Sequence, residues 1–247
     1  MSGTRSHFLK AQATDALIVA HGQPSDPEPA EAALAALTAR VQRHLPDLRL
    51  GSATLANGEV FENALGALRP DGLVYPLFMA NGWFVRTALR RRIGDAPCRV
   101  LAPMGLDPDL PALALDVIDQ ALADYDLPAN GTQVLLAAHG SARGQAAAEA
   151  AHEFADALSW LNPDLTMSTG FVEQAPYLPE LAPKIDAPCL CLPFFAMDGD
   201  HMKEDVRQDM VAAGFAGPIL PALGLSDGIP GLIASALMKK HTQKEAA

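Results

Sequence analysis

The chain has 247 residues, with 18 Lys+Arg against 29 Asp+Glu and a formal net charge of −11, a length that suits one large domain or two small ones around a buried core. A hydrophobic fraction of 49% excludes intrinsic disorder, and the acidic balance argues against a general nucleic-acid binder, which needs a basic surface. No apolar run approaches the ~18–20 residues of a membrane-spanning helix, and the start, MSGTRSHFLKAQAT, lacks the apolar centre of a secretory signal, so a cytoplasmic location is expected.

In chain order, Ala16–Ala20 is a short continuous apolar run, the pattern of a strand buried on both faces. His21 and Gly22 follow it, then a Pro/Gly/Asp-rich turn and a helix with Leu34, Leu37, Val41 and Leu45 on one stripe. Leu48–Leu55, Leu73–Phe78 and Val100–Met104 read as further strands separated by helical segments. Leu127-Pro128-Ala129-Asn130-Gly131 is a break. Beyond it the pattern returns: the strand Val134–Ala138, then His139 and the loop Gly140–Gly144, then a helix with Phe154, Leu158 and Leu161 on one stripe. Leu165–Val172, Leu190–Phe195 and Ile219–Leu223 complete the second set of strands.

The two sets are copies. The block from Ala16 to Gly22 reads like that from Val134 to Gly140, Tyr75–Phe78 like Leu192–Phe195, and Leu101–Leu106 like Leu220–Leu225, at offsets of 117 to 119 residues. Residues 12–126 and 131–240 are therefore expected to form two similar three-layer α/β/α lobes. Each should hold a parallel four-stranded sheet with right-handed crossovers, and the two should face each other. Cys98, Cys189 and Cys191 are an odd number and make no disulfide framework. Cys189 and Cys191 alternate with leucines, so they should share one strand face as small buried hydrophobes.

In open parallel sheets, ligands bind beyond the carboxyl ends of the strands. His139 follows the first strand of the second half, Glu173 ends the second strand, and His201 falls in the loop after the third. A lone His at a strand end is more often a turn residue, but three such groups on one edge point to a functional cluster. His7 and His241 lie in polar termini, and His44 and His152 on helices, where a structural or solvated role is expected. Imidazole and carboxylate together suit Fe²⁺, Co²⁺, Ni²⁺ or Zn²⁺. Neutral imidazole also accepts protons near neutral pH, and three protein ligands leave a coordination position open.

The His139-Gly140-Ser141 turn, the stretch from Glu173 to Pro176 and the segment from Gly199 to Asp205 resemble the sirohydrochlorin chelatases of the CbiX type, the ATP-independent class II chelatases. The resemblance covers most of residues 15–240 if the first half is a diverged copy. It implies insertion of Co²⁺ or Fe²⁺, with Ni²⁺ a further candidate, into a tetrapyrrole on the route to cobalamin or sirohaem. The ion is then a substrate, and no organic cofactor is implied. His139 and His201 would bind the ion and accept pyrrole protons, with Glu173 as a second acceptor or orienting carboxylate. Short members of the family dimerise, so the fused halves could stand alone as a monomeric pseudo-dimer.

The first half departs from the pattern. Ala56 stands where the second half has Glu173, and Phe84 where it has His201, leaving His21 alone. One complete site is therefore expected on the second half, with the first half as the opposite wall of a cleft. His21 would line that wall, and Glu59 is near enough in sequence to replace the lost carboxylate. Trp83 and Phe84 have two readings, stacking on a flat macrocycle or packing between the halves. Sirohydrochlorin is a polycarboxylate, so local cations matter more than net charge. Arg86, Arg143, Lys203 and Arg207 are candidates, while Arg90, Arg91 and Arg92 suit a solvated helix face. Helix starts after Gly22 and Gly140, Ser141 included, should add backbone N–H donors.

Rival chemistries fit less well. Ala138-His139-Gly140-Ser141-Ala142 is no Gly-x-Ser-x-Gly elbow, no Arg-His-Gly phosphatase motif is present, and no Walker or Gly-x-Gly-x-x-Gly loop follows the first strands. The alternative of another class is a non-catalytic tetrapyrrole or metal carrier on the same fold.

Overall fold

The computed structural model describes residues 13–142, 144–199 and 202–245, with backbone alone at 203–205 and 242–245. The apolar runs become the centres of two sheets. In the first, β1 (Thr14–Ala20) lies between β2 (Leu50–Thr54) and β3 (Leu68–Pro76), with β4 (Cys98–Val100) outside β3, and every pairing is parallel. Ala16 to Val19 are fully buried because helices cover both faces. In the second sheet β5 (Gln133–Ala138) lies between β6 (Thr166–Phe171) and β7 (Cys189–Phe194), again parallel. The strand order is the same in both halves as far as it goes.

It stops one strand short in the second. The expected fourth strand at Ile219–Leu223 is reduced to a single bridge, Cys191 opposite Ile219. The Cys191 N–H donates to Pro218 O at 2.9 Å and the Leu220 N–H to Cys191 O at 3.0 Å. Pro218 and Pro221 flank these rungs, and prolines have no N–H with which to extend a ladder. The sheets are thus four- and three-stranded.

The helices are α1 (Pro27–Gln42), α2 (Gly58–Ala67), α3 (Arg90–Ile93), α4 (Leu110–Asp124), α5 (Ala146–Leu161), α6 (Leu178–Leu181), α7 (Asp209–Ala212) and α8 (Ile229–Glu245). Proline in the first turn of α1 sits where its missing N–H costs nothing. The predicted α1 stripe is buried at Leu34, Leu37 and Val41, and Leu45 is buried just past the helix. On α5, Phe154 and Leu158 are buried, but Leu161 is 42% exposed at the helix end, beside an outward Trp160. π-helical turns occupy the same place in each half, Phe84–Leu89 before α3 and Met202–Gln208 before α7.

The halves are interlocked. α4 packs on α5, and α8 packs on α1, so the last helix of each half lies against the first helix of the other. Arg40–Asp227 at 2.8 Å, Lys239–Asp109 at 2.6 Å and a bond from Arg99 to Lys240 O at 2.7 Å hold this exchange at the surface. Beneath them one apolar core runs through both halves, from Ile18 and Leu34 to Leu136, Phe154 and Leu237. Cys189 and Cys191 share the outer face of the second sheet with Val206 and Met210, and burial pushes the Cys191 thiol well up. Among the described residues no helix is long and apolar enough to cross a membrane.

Candidate functional site

β5 ends at Ala138, so His139 is the first side chain past the carboxyl edge of the second sheet. The turn that follows demands glycine. Gly140 has φ +68°, and a Cβ there would lie 2.7 Å from Gln174 Cγ and 3.0 Å from Phe171 Cβ. His139 Nδ1 lies 3.1 Å from Gly140 O. A carbonyl only accepts, so Nδ1 carries the proton and Nε2 is the basic nitrogen.

Glu173 arrives by an extension of the ladder beyond β6. The Val172 N–H donates to Ala138 O at 3.1 Å and the Glu173 N–H to His139 O at 2.9 Å. This puts Glu173 Oε2 3.8 Å from His139 Nδ1, with the side chains 44% and 40% exposed. A pair this open to water contributes little to stability. The loop is held by Gln174, whose Oε1 accepts the Ser141 N–H at 2.8 Å. Gln174 was missing from the sequence-based site; its place directly after Glu173, on the same strand exit, is the signal that could have revealed it.

That bond also corrects the expected donors. The Ser141 N–H is committed to Gln174, and the helices start later than expected, α5 at Ala146 and α1 at Pro27, so neither Gly140 nor Gly22 opens a helix. His201 and Arg143 lie outside the described residues. Lys203 lies on the backbone of the Met202–Gln208 turn, and Arg207 on the same turn is exposed. Among the described residues no group of three His, Cys, Asp or Glu is gathered to hold an ion; His139 and Glu173 supply two.

The first sheet repeats the backbone with other side chains. The Leu55 N–H donates to Ala20 O and the Ala56 N–H to His21 O, both at 2.9 Å, so Ala56 occupies the place of Glu173. Gly22 has φ +75°, and a Cβ there would collide with Thr54. His21 Nδ1 is bonded to Gly22 O at 2.5 Å, which leaves Nε2 as the basic nitrogen again. Phe84 meets the His21 ring at 4.0 Å between centroids and 85° between planes, and Trp83 meets Phe84 at 5.2 Å and 80°. Trp83 is 60% exposed and Phe84 41%, so these rings are not buried between the halves. Glu59 is exposed in the first turn of α2, where a carboxylate complements the helix N-terminus. Arg92 lies over the Phe61 ring at 5.7 Å.

A cavity of about 410 Å³ spans the two halves, lined by Asn81, Arg86 and Leu106 on one side and Gln145, Glu149 and Glu153 on the other. It sets the π-helical turn that carries Phe84 and Arg86 opposite the start of α5, which follows the His139 loop. Arg86 shares this space with two carboxylates.

Three comparisons bear on this geometry. A family model, CbiX, matches residues 133–241. No curated protein sequence matches the chain. A solved structure described as CbiX, the terminal enzyme for biosynthesis of siroheme in denitrifying bacteria, is 41% identical with a TM-score of 0.83, over 91% of this chain and 98% of its own. SirB from Bacillus subtilis with Fe³⁺ is 16% identical with a TM-score of 0.73, over 94% of this chain and 96% of its own. DR2241 from Deinococcus radiodurans, a multi-domain protein with structural similarity to chelatases and two additional novel domains, is 19% identical with a TM-score of 0.65. Its match covers 91% of this chain and 54% of its own. The last two show a shared fold.

Proposed function

The chain belongs to the CbiX family, and on that premise we propose that it inserts a divalent ion, Co²⁺ or Fe²⁺, into sirohydrochlorin or a related tetrapyrrole, without ATP. The observation that carries this reading is the His139–Glu173 pair. These two partly exposed groups are held 3.8 Å apart past the carboxyl edge of the second sheet, inside the segment that the family model matches.

Insertion exchanges one dication for two pyrrole N–H protons, so the site must both present the ion and accept protons. His139 Nε2 takes the ion as a neutral imidazole ligand, and Glu173 balances its charge and accepts a proton as the ring closes on it. His201, one residue before the Met202–Gln208 turn, is assigned as the second imidazole on the strength of its motif. Three side-chain ligands leave room for the ring nitrogens to replace water on the ion. The exposed rings of Trp83 and Phe84 offer a flat apolar surface for the macrocycle, and Arg86, Arg143 and Lys203 offer cations for its acidic side groups, with Ser141 contributing its hydroxyl.

The same reading takes residues 12–126 and 131–240 as two fused copies of one unit, acting as a monomeric pseudo-dimer in the cytoplasm. A family model that matches only residues 133–241 supports it, because the second copy keeps the full set. The test is an anaerobic assay following the visible spectrum of sirohydrochlorin with Co²⁺, Fe²⁺ or Ni²⁺. Acceleration over the uncatalysed rate, abolished in His139→Ala and His201→Ala, supports a chelatase. Stoichiometric binding without acceleration identifies a carrier instead.

A further inference from the structure

The register that pairs Ala56 with Glu173 and Phe84 with His201 also pairs Gly58 with Ala175, Phe61 with Leu178 and Arg92 with Asp209. Phe61 and Leu178 are both buried, as are Ile93 and Met210 one position further on. The halves therefore agree in the core, while the charge outside it inverts from a guanidinium to a carboxylate. The Arg92 head has a defined seat. Its Cζ stands 5.7 Å from the centroid of the Phe61 ring, and its Nη1 lies 3.1 Å from where a Cβ of Gly58 would be. Gly58 is not one of the positive-φ glycines, so what its missing Cβ provides is room for the guanidinium. Any base in the last turn of α3 would complement that helix. The Arg92 head instead leans onto the first residue of α2, where helix charge gives a cation nothing. It makes no ion pair among the described residues, although Glu59 and Glu62 stand on α2. Arg91, exposed beside it, has no such seat. A guanidinium that is held in place and neutralised by nothing suits an anionic ligand.

We propose that Arg92 binds a carboxylate side group of the tetrapyrrole and so sets a preference for highly acidic macrocycles, an inference that rests on the chelatase reading above. Its seat lies at the carboxyl edge of the first sheet. Gly58 is two residues past Ala56, whose N–H donates to His21 O at 2.9 Å, and each residue advances the chain by at most about 3.8 Å. The exposed rings of Trp83 and Phe84 belong to the same edge, since Phe84 meets His21. The planar fork of arginine matches a carboxylate with two parallel bonds, and the face of Phe61 fixes the plane of that fork before the ligand arrives. The inverted charges then divide the work. Glu173 and Asp209 on the second half repel an acid arm and attract a dication. Ala56 and Arg92 on the first half do the reverse. The macrocycle is held by its acid arms on the half that carries no metal-binding carboxylate.

The experiment is anaerobic steady-state kinetics with Co²⁺ and sirohydrochlorin on the full chain, comparing wild type with Arg92→Gln, Arg92→Lys, Gly58→Leu and Arg91→Gln, alongside thermal melts. Beside it runs equilibrium binding of two metal-free porphyrins, read by their fluorescence: uroporphyrin, with acid groups on every pyrrole ring, and deuteroporphyrin, with acid groups on only half of them. Arg92→Gln is expected to raise KM for sirohydrochlorin about 10-fold and to weaken uroporphyrin binding as much, and deuteroporphyrin binding by less than about threefold. Its kcat should stay within about twofold. Arg92→Lys should recover only part of the loss, because a point charge lacks the fork. Gly58→Leu fills the seat and should raise KM similarly without lowering the melting midpoint, leucine being the better helix former. Arg91→Gln should change nothing by more than about twofold. A KM for Arg92→Gln within twofold of wild type overturns the proposal, and so does an equal rise in Arg91→Gln, which would make the effect one of general charge. Should Arg92→Gln fail to fold, Gly58→Leu decides, and a KM within twofold in that variant overturns the proposal. Acceleration by the wild type with a KM indifferent to Arg92 sinks this inference alone. Uroporphyrin binding that depends on Arg92, with no acceleration of metal insertion, sinks the chelatase reading and leaves the carboxylate site standing on a carrier.

Discussion

At the edge of the first sheet the Ala56 N–H reaches His21 O at 2.9 Å; at the edge of the second the Glu173 N–H reaches His139 O at the same distance. Each histidine is followed by a glycine of positive φ and bonded through Nδ1 to that glycine's carbonyl. The backbone is one design used twice, and the side chains planted on it differ: imidazole and carboxylate on one edge, imidazole and aromatic rings on the other. The demands of folding and of chemistry therefore sit on different atoms here. The core needs the apolar runs and the tight turns, and both halves keep them. The outward side chains past the two edges carry no such demand, and it is there that the halves differ, with Glu173 on one and Ala56 and Phe84 on the other.

The largest expected effect comes from removing the armed edge's imidazole. His139→Ala should cut the rate of metal insertion about 1,000-fold, while far-ultraviolet circular dichroism and the melting midpoint stay near wild type, because the side chain is 40% exposed. A melt shifted by many degrees would show that the edge is structural. Next, truncation in the core should not tell the halves apart. Ile18→Ala and Leu136→Ala, both fully buried at the centres of their sheets, should each cost about 2–5 kcal/mol by denaturant titration. A much smaller cost in one half would break the equivalence.

Glu173→Gln should lose about 10- to 100-fold in activity or metal affinity, whereas Ala56→Glu should leave the native site untouched. Smaller still is Gly140→Ala, which puts a β-carbon into left-handed backbone against Gln174 and should cost about 1–2 kcal/mol. The matching Gly22→Ala, against Thr54, should cost a similar amount.

Much of this was legible in the sequence because the signals were local. Ala16–Ala20 and Val134–Ala138 are apolar without interruption, and a strand buried on both faces leaves no other pattern. His139 and Glu173 could be placed on one edge because each sits where its strand runs out. The correspondence of Ala56 with Glu173 followed from the repeat, and the hydrogen bonds match it. What stayed hidden depends on distant partners. The exchange of α4 and α8 between halves arises from helix-on-helix packing that no short window encodes. Ile219–Leu223 has the apolar character of a strand, but Pro218 and Pro221 deny it the N–H groups for more than one bridge. Leu161 fits the stripe by spacing yet falls at the helix end, where the core no longer reaches. Gln174 acts through a bond to Ser141, 33 positions away in the chain.

The asymmetry of the two edges is tested most directly by anaerobic titration of the intact protein with Co²⁺ in the absence of tetrapyrrole, read by the visible absorption of the bound ion. One equivalent per chain is expected, lost in His139→Ala and retained in His21→Ala. Two equivalents, or a single equivalent that survives without His139 and disappears without His21, would contradict the account.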